Sequence, residues 1–239
     1  MRAAIAATLR SAGVDGDDPV VDALLAAART EWWAGPHHGF CHAIGISSWE
    51  GLWLGDPSAG WPDGFEPWLR GYQARPWLAA DLAARFVEER AARCAPFAGA
   101  DVALDRLAER YDLWLVTNGD STLQRRKLAG AGLADRFDRL FVSGDIGSRK
   151  PAAAFFDWVT ATAAAGGRSI VASIGDNVDN DVRPALERGW AAVAVRSGDP
   201  LPDGLDVAQV ATLADVPPVL DRLLPAGSDG RDRGAVVPE

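Results

Sequence analysis

Apolar positions along this chain change their spacing near residue 95. Before that point Ala, Leu and Trp recur at helical intervals. Residues 3–12 read as a helix ended by Gly13 and residues 19–33 as a second. Helical periodicity returns over 67–72 and 77–94, where Leu78, Leu82, Phe86 and Val87 share one face. The stretch between, 33–61, mixes Gly, Pro and aromatic rings and predicts loops and short turns.

Beyond the Ala-Pro-Phe-Ala-Gly-Ala junction at 95–100, short apolar runs alternate with amphipathic ones. Strands are expected at 112–117, 140–143, 169–174 and 191–195. Helices are expected at 101–110, 123–131, 152–165, 182–188 and 213–224, with Gly132 and Gly189 as stops. Strands apolar at nearly every position, separated by helices, belong to a parallel sheet covered on both faces. The fold class is therefore α/β, a Rossmann-like parallel core behind an N-terminal helical domain. The boundaries are 1–94 for the helical domain and 95–224 for the α/β core. A polar tail at 225–239 is expected to be disordered.

Composition narrows the partners. A net charge of −9 over 239 residues opposes nucleic-acid or anionic-membrane binding, which draws on a positive field. A small phosphorylated metabolite is still admissible, because a few donors and a metal can outweigh the mean field. Cys41 and Cys94 are too few for a disulfide framework, so a reduced, cytoplasmic setting is expected. The apolar start is interrupted by Arg10 and followed by no small-residue cleavage site, so it does not read as a signal peptide. No run approaches the ~20 apolar residues of a membrane span. Oligomeric state is not legible.

Three segments carry candidate chemistry. Thr117-Asn118-Gly119 follows one predicted strand, Lys150-Pro151 follows another after a short loop, and Gly175-Asp-Asn-Val-Asp-Asn-Asp181 follows a third. Ligands of an open parallel sheet gather beyond the carboxyl ends of its strands, so the three converge on one edge. A Thr hydroxyl and the amides after it can bind phosphate oxygens, as can a helix N-terminus. A Lys ammonium neutralises developing charge. Carboxylates at Asp176 and Asp181 offer the hard oxygen ligands that Mg²⁺ prefers. Each segment also has a plain reading: a cap and turn at Thr117-Asn118, a solvated cation at Lys150, a capped helix entry at 175–181. Their order and shared edge favour the joint reading.

With these motifs the chain resembles the haloacid dehalogenase superfamily of hydrolases, in its capped phosphatase form. Thr117-Asn118 stands where the family's second motif ends a strand, Lys150-Pro151 where its third lies, and Gly175-Asp176 with Asp181 where its fourth lies. The resemblance implies that Thr117 and Lys150 bind phosphate, with Lys150 also steadying the nucleophile. It implies that Asp176 ligates Mg²⁺, and that Asp181 supports either the metal's water shell or Lys150.

The family's first motif, a strand ending in Asp-x-Asp, has no counterpart ahead of these. Asp15-Gly16-Asp17 follows a helix end and precedes Pro19, so it reads as a turn. Covalent aspartyl-phosphate chemistry needs that first carboxylate. The expectation is an N-terminally shortened reading of a normal hydrolase, its central strand absent. The strands at 112–117 and 169–174 would then flank a gap of about 10 Å, two strand spacings. Each buried ladder group left unpaired there would cost on the order of 1–3 kcal/mol.

Other features are read more plainly. His37, His38 and His42 could bind zinc, but their spacing fits no standard closed site, and a cap loop over the substrate is the favoured reading. Trp32, Trp33, Trp49, Trp53 and Trp61 are expected to pack within the helical domain, some of them as alternative pocket walls. Glu50 is expected to be a solvated acid, with a substrate-reading group as the alternative. Mg²⁺-dependent phosphomonoester hydrolysis on a small metabolite leads. A non-catalytic phosphate-binding or regulatory protein is the alternative. Metal-free dehalogenation comes third, since it has little use for the carboxylates at 176–181.

Overall fold

The computed structural model describes residues 2–54, 61–73, 80–196, 200–224 and 233–237. Two compact units emerge: residues 1–95 with 119–131, and residues 96–118 with 132–239.

The first unit is helical. It comprises α1 (Arg2–Ser11), α2 (Asp18–Trp33), α3 (His38–Ile44), α4 (Ser48–Trp53), α5 (Phe65–Gln73) and α6 (Ala80–Ala91). Later in the chain, after α7 (Ala100–Ala108) and β1 (Asp112–Thr117) of the second unit, it also takes in α8 (Ser121–Gly130). The sequence rhythm had placed α8 with the sheet, but its Leu123 is 1% exposed among Ile44, Leu52 and Leu54. Trp32, Phe65, Tyr72 and Phe86 are buried, and Trp32 meets Trp68 and Tyr72 at 5.1 and 5.0 Å between ring centroids. Tyr72 Oη donates to the Ser48 carbonyl at 2.9 Å, which satisfies the one polar atom of that ring. Gly51 is required here: a Cβ would lie 2.1 Å from Trp32 Cζ3.

The expectation of loops over 33–61 is corrected in part. Helices α3 and α4 occupy much of it, too short for periodicity to reveal. Gly45 ends α3 with φ 78°, and Ser47 and Glu50 form a reciprocal capping box at the start of α4. Trp49 and Trp53 fall in α4, but their side chains lie outside the described residues, as do Leu78 and the Leu82 side chain. Phe86 is buried as its periodicity implies.

The second unit is the α/β core. After α7 and β1 come β2 (Arg139–Val142), α9 (Ser143–Ile146), α10 (Ala153–Ala165) and β3 (Ser169–Gly175). A π-helical turn at Val178–Val182 then leads into α11 (Arg183–Glu187), and β4 (Ala191–Val195), β5 (Ala208–Val210) and α12 (Val216–Leu223) follow. The last strand, β6, is Arg233–Val237. The six strands lie in the order β2-β1-β6-β3-β4-β5, and every pairing is parallel.

Two sequence expectations are overturned together. The segment read as a disordered tail contributes β6, and β6 occupies the position between β1 and β3 where a missing strand had been expected. Leu115 pairs with Val237 on one side, and Ser173 with Val236 on the other. The ladder groups of β1 and β3 are thereby paired across the middle of the sheet.

A register shift between Ile170 and Ala172 has a packing consequence. Residues two apart on a regular strand share a face, yet Ile170 packs with Trp114 and Phe156 while Ala172 and Ile174 pack with Leu113 and Leu220. The bulge moves the strand's small and branched side chains from one helical layer to the other.

Candidate active site

Strand β1 ends at Thr117 and β3 at Gly175, so both deliver the following residues to the carboxyl edge of the sheet. Lys150 arrives from the turn between α9 and α10 and is 5% exposed. Asn118 holds it by a two-way bond: its Oδ1 accepts from Lys150 N at 2.8 Å, and its Nδ2 donates to Lys150 O at 3.1 Å. From there the ammonium turns inward. Lys150 Nζ donates to the Val116 carbonyl at 3.0 Å and to Asp181 Oδ1 at 2.7 Å.

Asp181 is equally buried and fully engaged, its Oδ2 accepting from Asn177 N at 3.1 Å. Asn177 in turn caps the π-helical turn, its Oδ1 accepting from Asp179 N and Asn180 N. The wide turn folds Asp181 back onto the end of β3. A Cβ at Gly175 would stand 2.3 Å from Asp181 Cβ, so the strand must end in glycine. A buried ion pair of this kind persists only when its remaining polar atoms are satisfied, as the Val116 carbonyl and Asn177 amide provide.

The other sequence candidates fall as follows. Thr117 is 1% exposed at the end of β1, and its hydroxyl donates to Asn118 O at a long 3.4 Å. Asp176 is exposed directly after β3. Gly119, with φ 137°, belongs by its contacts to the helical unit, where its N–H donates to the Ile44 carbonyl at 3.0 Å. Asp181 sits on Lys150, the second of the two roles that the resemblance implied for it.

Other residues, passed over or read differently in the sequence, have defined local roles. Asn177 positions Asp181, and its signal was legible as an Asx cap two residues ahead of paired polar amides. Asp120, 3% exposed, accepts from Leu123 N at 2.9 Å and starts α8. In the helical unit Glu50 is no solvated acid: Oε2 closes the Ser47 capping box and Oε1 meets Lys127 Nζ at 2.9 Å.

Donor chemistry decides whether Mg²⁺ suits these residues. No group of three or more His, Cys, Asp or Glu placed for a metal occurs among the described residues. Mg²⁺ commonly takes only one or two protein carboxylates and completes its shell with water and substrate phosphate. The exposed carboxylate of Asp176 satisfies that modest requirement, whereas Asp181 is committed to Lys150.

No helix among the described residues is long and apolar enough to cross a membrane. Among curated proteins, the chain is 33% identical over 202 residues to a phosphoserine phosphatase of Thermus thermophilus, covering 79% of each chain. It is 32% identical over 127 residues to the pyrimidine 5'-nucleotidase YjjG of Escherichia coli, and there it spans only 55% of the relative's length. The structure matches that of the putative HAD-hydrolase YfnB from Bacillus subtilis, solved bound to magnesium, with a TM-score of 0.58 at 19% identity over 93% of this chain and 90% of that one. At that identity the likeness speaks for the fold alone. The sequence model of the haloacid dehalogenase-like hydrolases matches residues 6–189, and the chain belongs to that family.

Proposed function

We propose that this protein binds and hydrolyses a small phosphorylated metabolite, with Thr117, Asn118 and Lys150 receiving the phosphoryl group. The carrying observation is the buried Lys150–Asp181 pair at the carboxyl edge of β1 and β3, built so that one cation is held rigidly beside the residues that follow β1. An ammonium has three donors. Two are fixed on Val116 O and Asp181, and the third is left for a phosphate oxygen. The names of two relatives, a phosphoserine phosphatase and a pyrimidine nucleotidase, support a phosphomonoester as substrate.

In this reading Lys150 binds an equatorial phosphoryl oxygen and offsets the charge that builds as the oxygen of water bonds to phosphorus, the ester P–O bond breaks and the alcohol leaves with a proton from that water. Asp181 acts through Lys150 by balancing its charge, and the Asn118 side chain, besides its backbone's part in binding phosphate, fixes the Lys150 backbone. Asp176 would hold Mg²⁺, which supplies Lewis-acid neutralisation of the phosphate oxygens when bound. The helical unit would serve as a cap.

A second reading, phosphate binding without turnover, has its own support. Asp17 of Asp15-Gly16-Asp17 caps α2, its Oδ1 accepting from Val20 N at 3.1 Å in the helical unit, so it is structural rather than nucleophilic. Hydrolysis of p-nitrophenyl phosphate with and without Mg²⁺, run beside calorimetric binding of inorganic phosphate, separates the two. Turnover lost on Lys150→Ala supports the enzyme, and binding without turnover supports the second reading. Neither binding nor turnover removes both.

A further inference from the structure

The helical unit holds a feature that phosphate chemistry does not use. His38 and His42 stand four residues apart on α3, one above the other on the same face, with ring centroids 6.0 Å apart. Trp33, 53% exposed at the end of α2, lies against both, 4.1 Å from His38 and 6.2 Å from His42. His38 is partly buried, and its Nε2 is shut off from solvent with no hydrogen-bond partner. A buried imidazole nitrogen without a partner is costly, and it invites a ligand that accepts a lone pair. His37, despite adjoining them in sequence, turns away and packs on Phe65 and Trp68 at 5.3 and 5.5 Å.

The geometry points to a two-histidine metal site on α3, formed by His38 and His42, that takes a late first-row divalent ion such as Cu²⁺ or Zn²⁺. Neutral imidazole nitrogen is a borderline donor that favours these ions, in the order that puts Cu²⁺ first, and has little use for hard Mg²⁺. With imidazole–metal bonds of about 2.0–2.1 Å, two rings on one tetrahedral ion have centroids roughly 5 Å apart. The observed pair therefore closes by about 1 Å, within reach of side-chain rotation on a fixed helix turn. No third His, Cys, Asp or Glu joins them among the described residues, so the site forms only as the His38 ring turns Nε2 outward, and water completes the shell. The site shares no residue with the proposed phosphate pocket.

The test is calorimetric titration of the full chain with Cu²⁺, then Zn²⁺ and Mg²⁺, in a non-coordinating buffer at pH 7.5. One equivalent of Cu²⁺ should bind more tightly than Zn²⁺, excess Mg²⁺ should not displace it, and Cu²⁺ should quench part of the tryptophan emission through Trp33. His42→Ala and His38→Ala should each weaken Cu²⁺ binding at least tenfold, while His37→Ala should leave it unchanged. The chain has three histidines, so interference from others is excluded. His42 is exposed, so its alanine variant should keep the wild-type unfolding midpoint. Absence of a Cu²⁺ equivalent in the wild type, or equal affinity in His42→Ala, overturns the site. Neither result bears on phosphate turnover.

Discussion

Lys150 Nζ and Asp181 Oδ1 stand 2.7 Å apart, and each side chain is 6% exposed. The pair joins the loop before α10 to the π-helical turn after β3, so it holds the site together as well as charging it. Removing one member of such a pair strands the other charge away from water, at a cost of about 3–5 kcal/mol. Asp181→Ala and Lys150→Ala should each lower the urea midpoint strongly. The double variant should lose much less than the sum of the two, with a coupling of about 2 kcal/mol or more. Additive losses in a double-mutant cycle would show that the pair is not a unit. In turnover, Lys150→Ala should fall by about 10²-fold or more even where the protein remains folded.

Gly175 is constrained by the same fold-back. Its Cβ position is 2.3 Å from Asp181 Cβ, a distance no relaxed pair of carbons adopts. Gly175→Ala should cost roughly 1–3 kcal/mol as Asp181 is pushed off Lys150. Asp181→Gly removes the clashing carbon, so Gly175→Ala should be nearly harmless in that background. Thermal unfolding of the four proteins decides it, and an equal penalty in both backgrounds would contradict the steric account.

Strand β6 is a third point of leverage. It pairs with β1 and β3 at once, so each of its amides faces a neighbouring strand, and proline there removes a ladder bond and distorts the backbone. Ala235→Pro should destabilise the core by about 3 kcal/mol or more, whereas Ala235→Val, suited to a strand, should leave the urea midpoint near wild type. Equal midpoints for all three proteins would remove β6 from the sheet's energetics.

The contrast between β6 and its neighbours shows what the sequence could reveal. Leu113 to Val116 and Ile170 to Ile174 are apolar at nearly every position, and that alone marks them as buried parallel strands. Arg-Gly-Ala-Val-Val at 233–237 is short and flanked by Asp, Arg, Gly and Pro, so local pattern reads it as tail. Its strand character comes from the two unpaired edges that receive it, which no local window contains. Strand β5 was missed for a similar reason, being three residues long with Gln209 exposed at its centre.

At the carboxyl edge of the sheet, the places where Thr117, Asp176 and Asp181 emerge were legible, because strand ends and the parallel topology fix them. Which of them would bond to which was not. Asp181 could be read as a metal ligand or as a lysine partner until the π-helical turn set its direction. That outcome depends on residues distant in the chain, beyond the reach of motif spacing.

Cys41 supplies a prediction about pH. It is buried in the helical core, and burial pushes its thiol up to about 12. In the unfolded chain a cysteine ionises near 8.5. Below that value both states carry the neutral thiol and the group adds no pH dependence. As pH rises above about 8.5 the unfolded state loses its proton while the folded state keeps it, so stability falls. The loss approaches about 1.4 kcal/mol per pH unit until the folded value is reached. Urea midpoints at pH 8, 9 and 10 should therefore drop more steeply for wild type than for Cys41→Ala, which lacks the titrating group. The comparison cancels the alkaline titration of tyrosines and lysines common to both. In parallel, a thiol reagent at pH 8 should label the less buried Cys94 first and reach Cys41 only on unfolding. Coincident pH profiles for the two proteins, or rapid native labelling of Cys41, would mean that the thiol is not held neutral by the core.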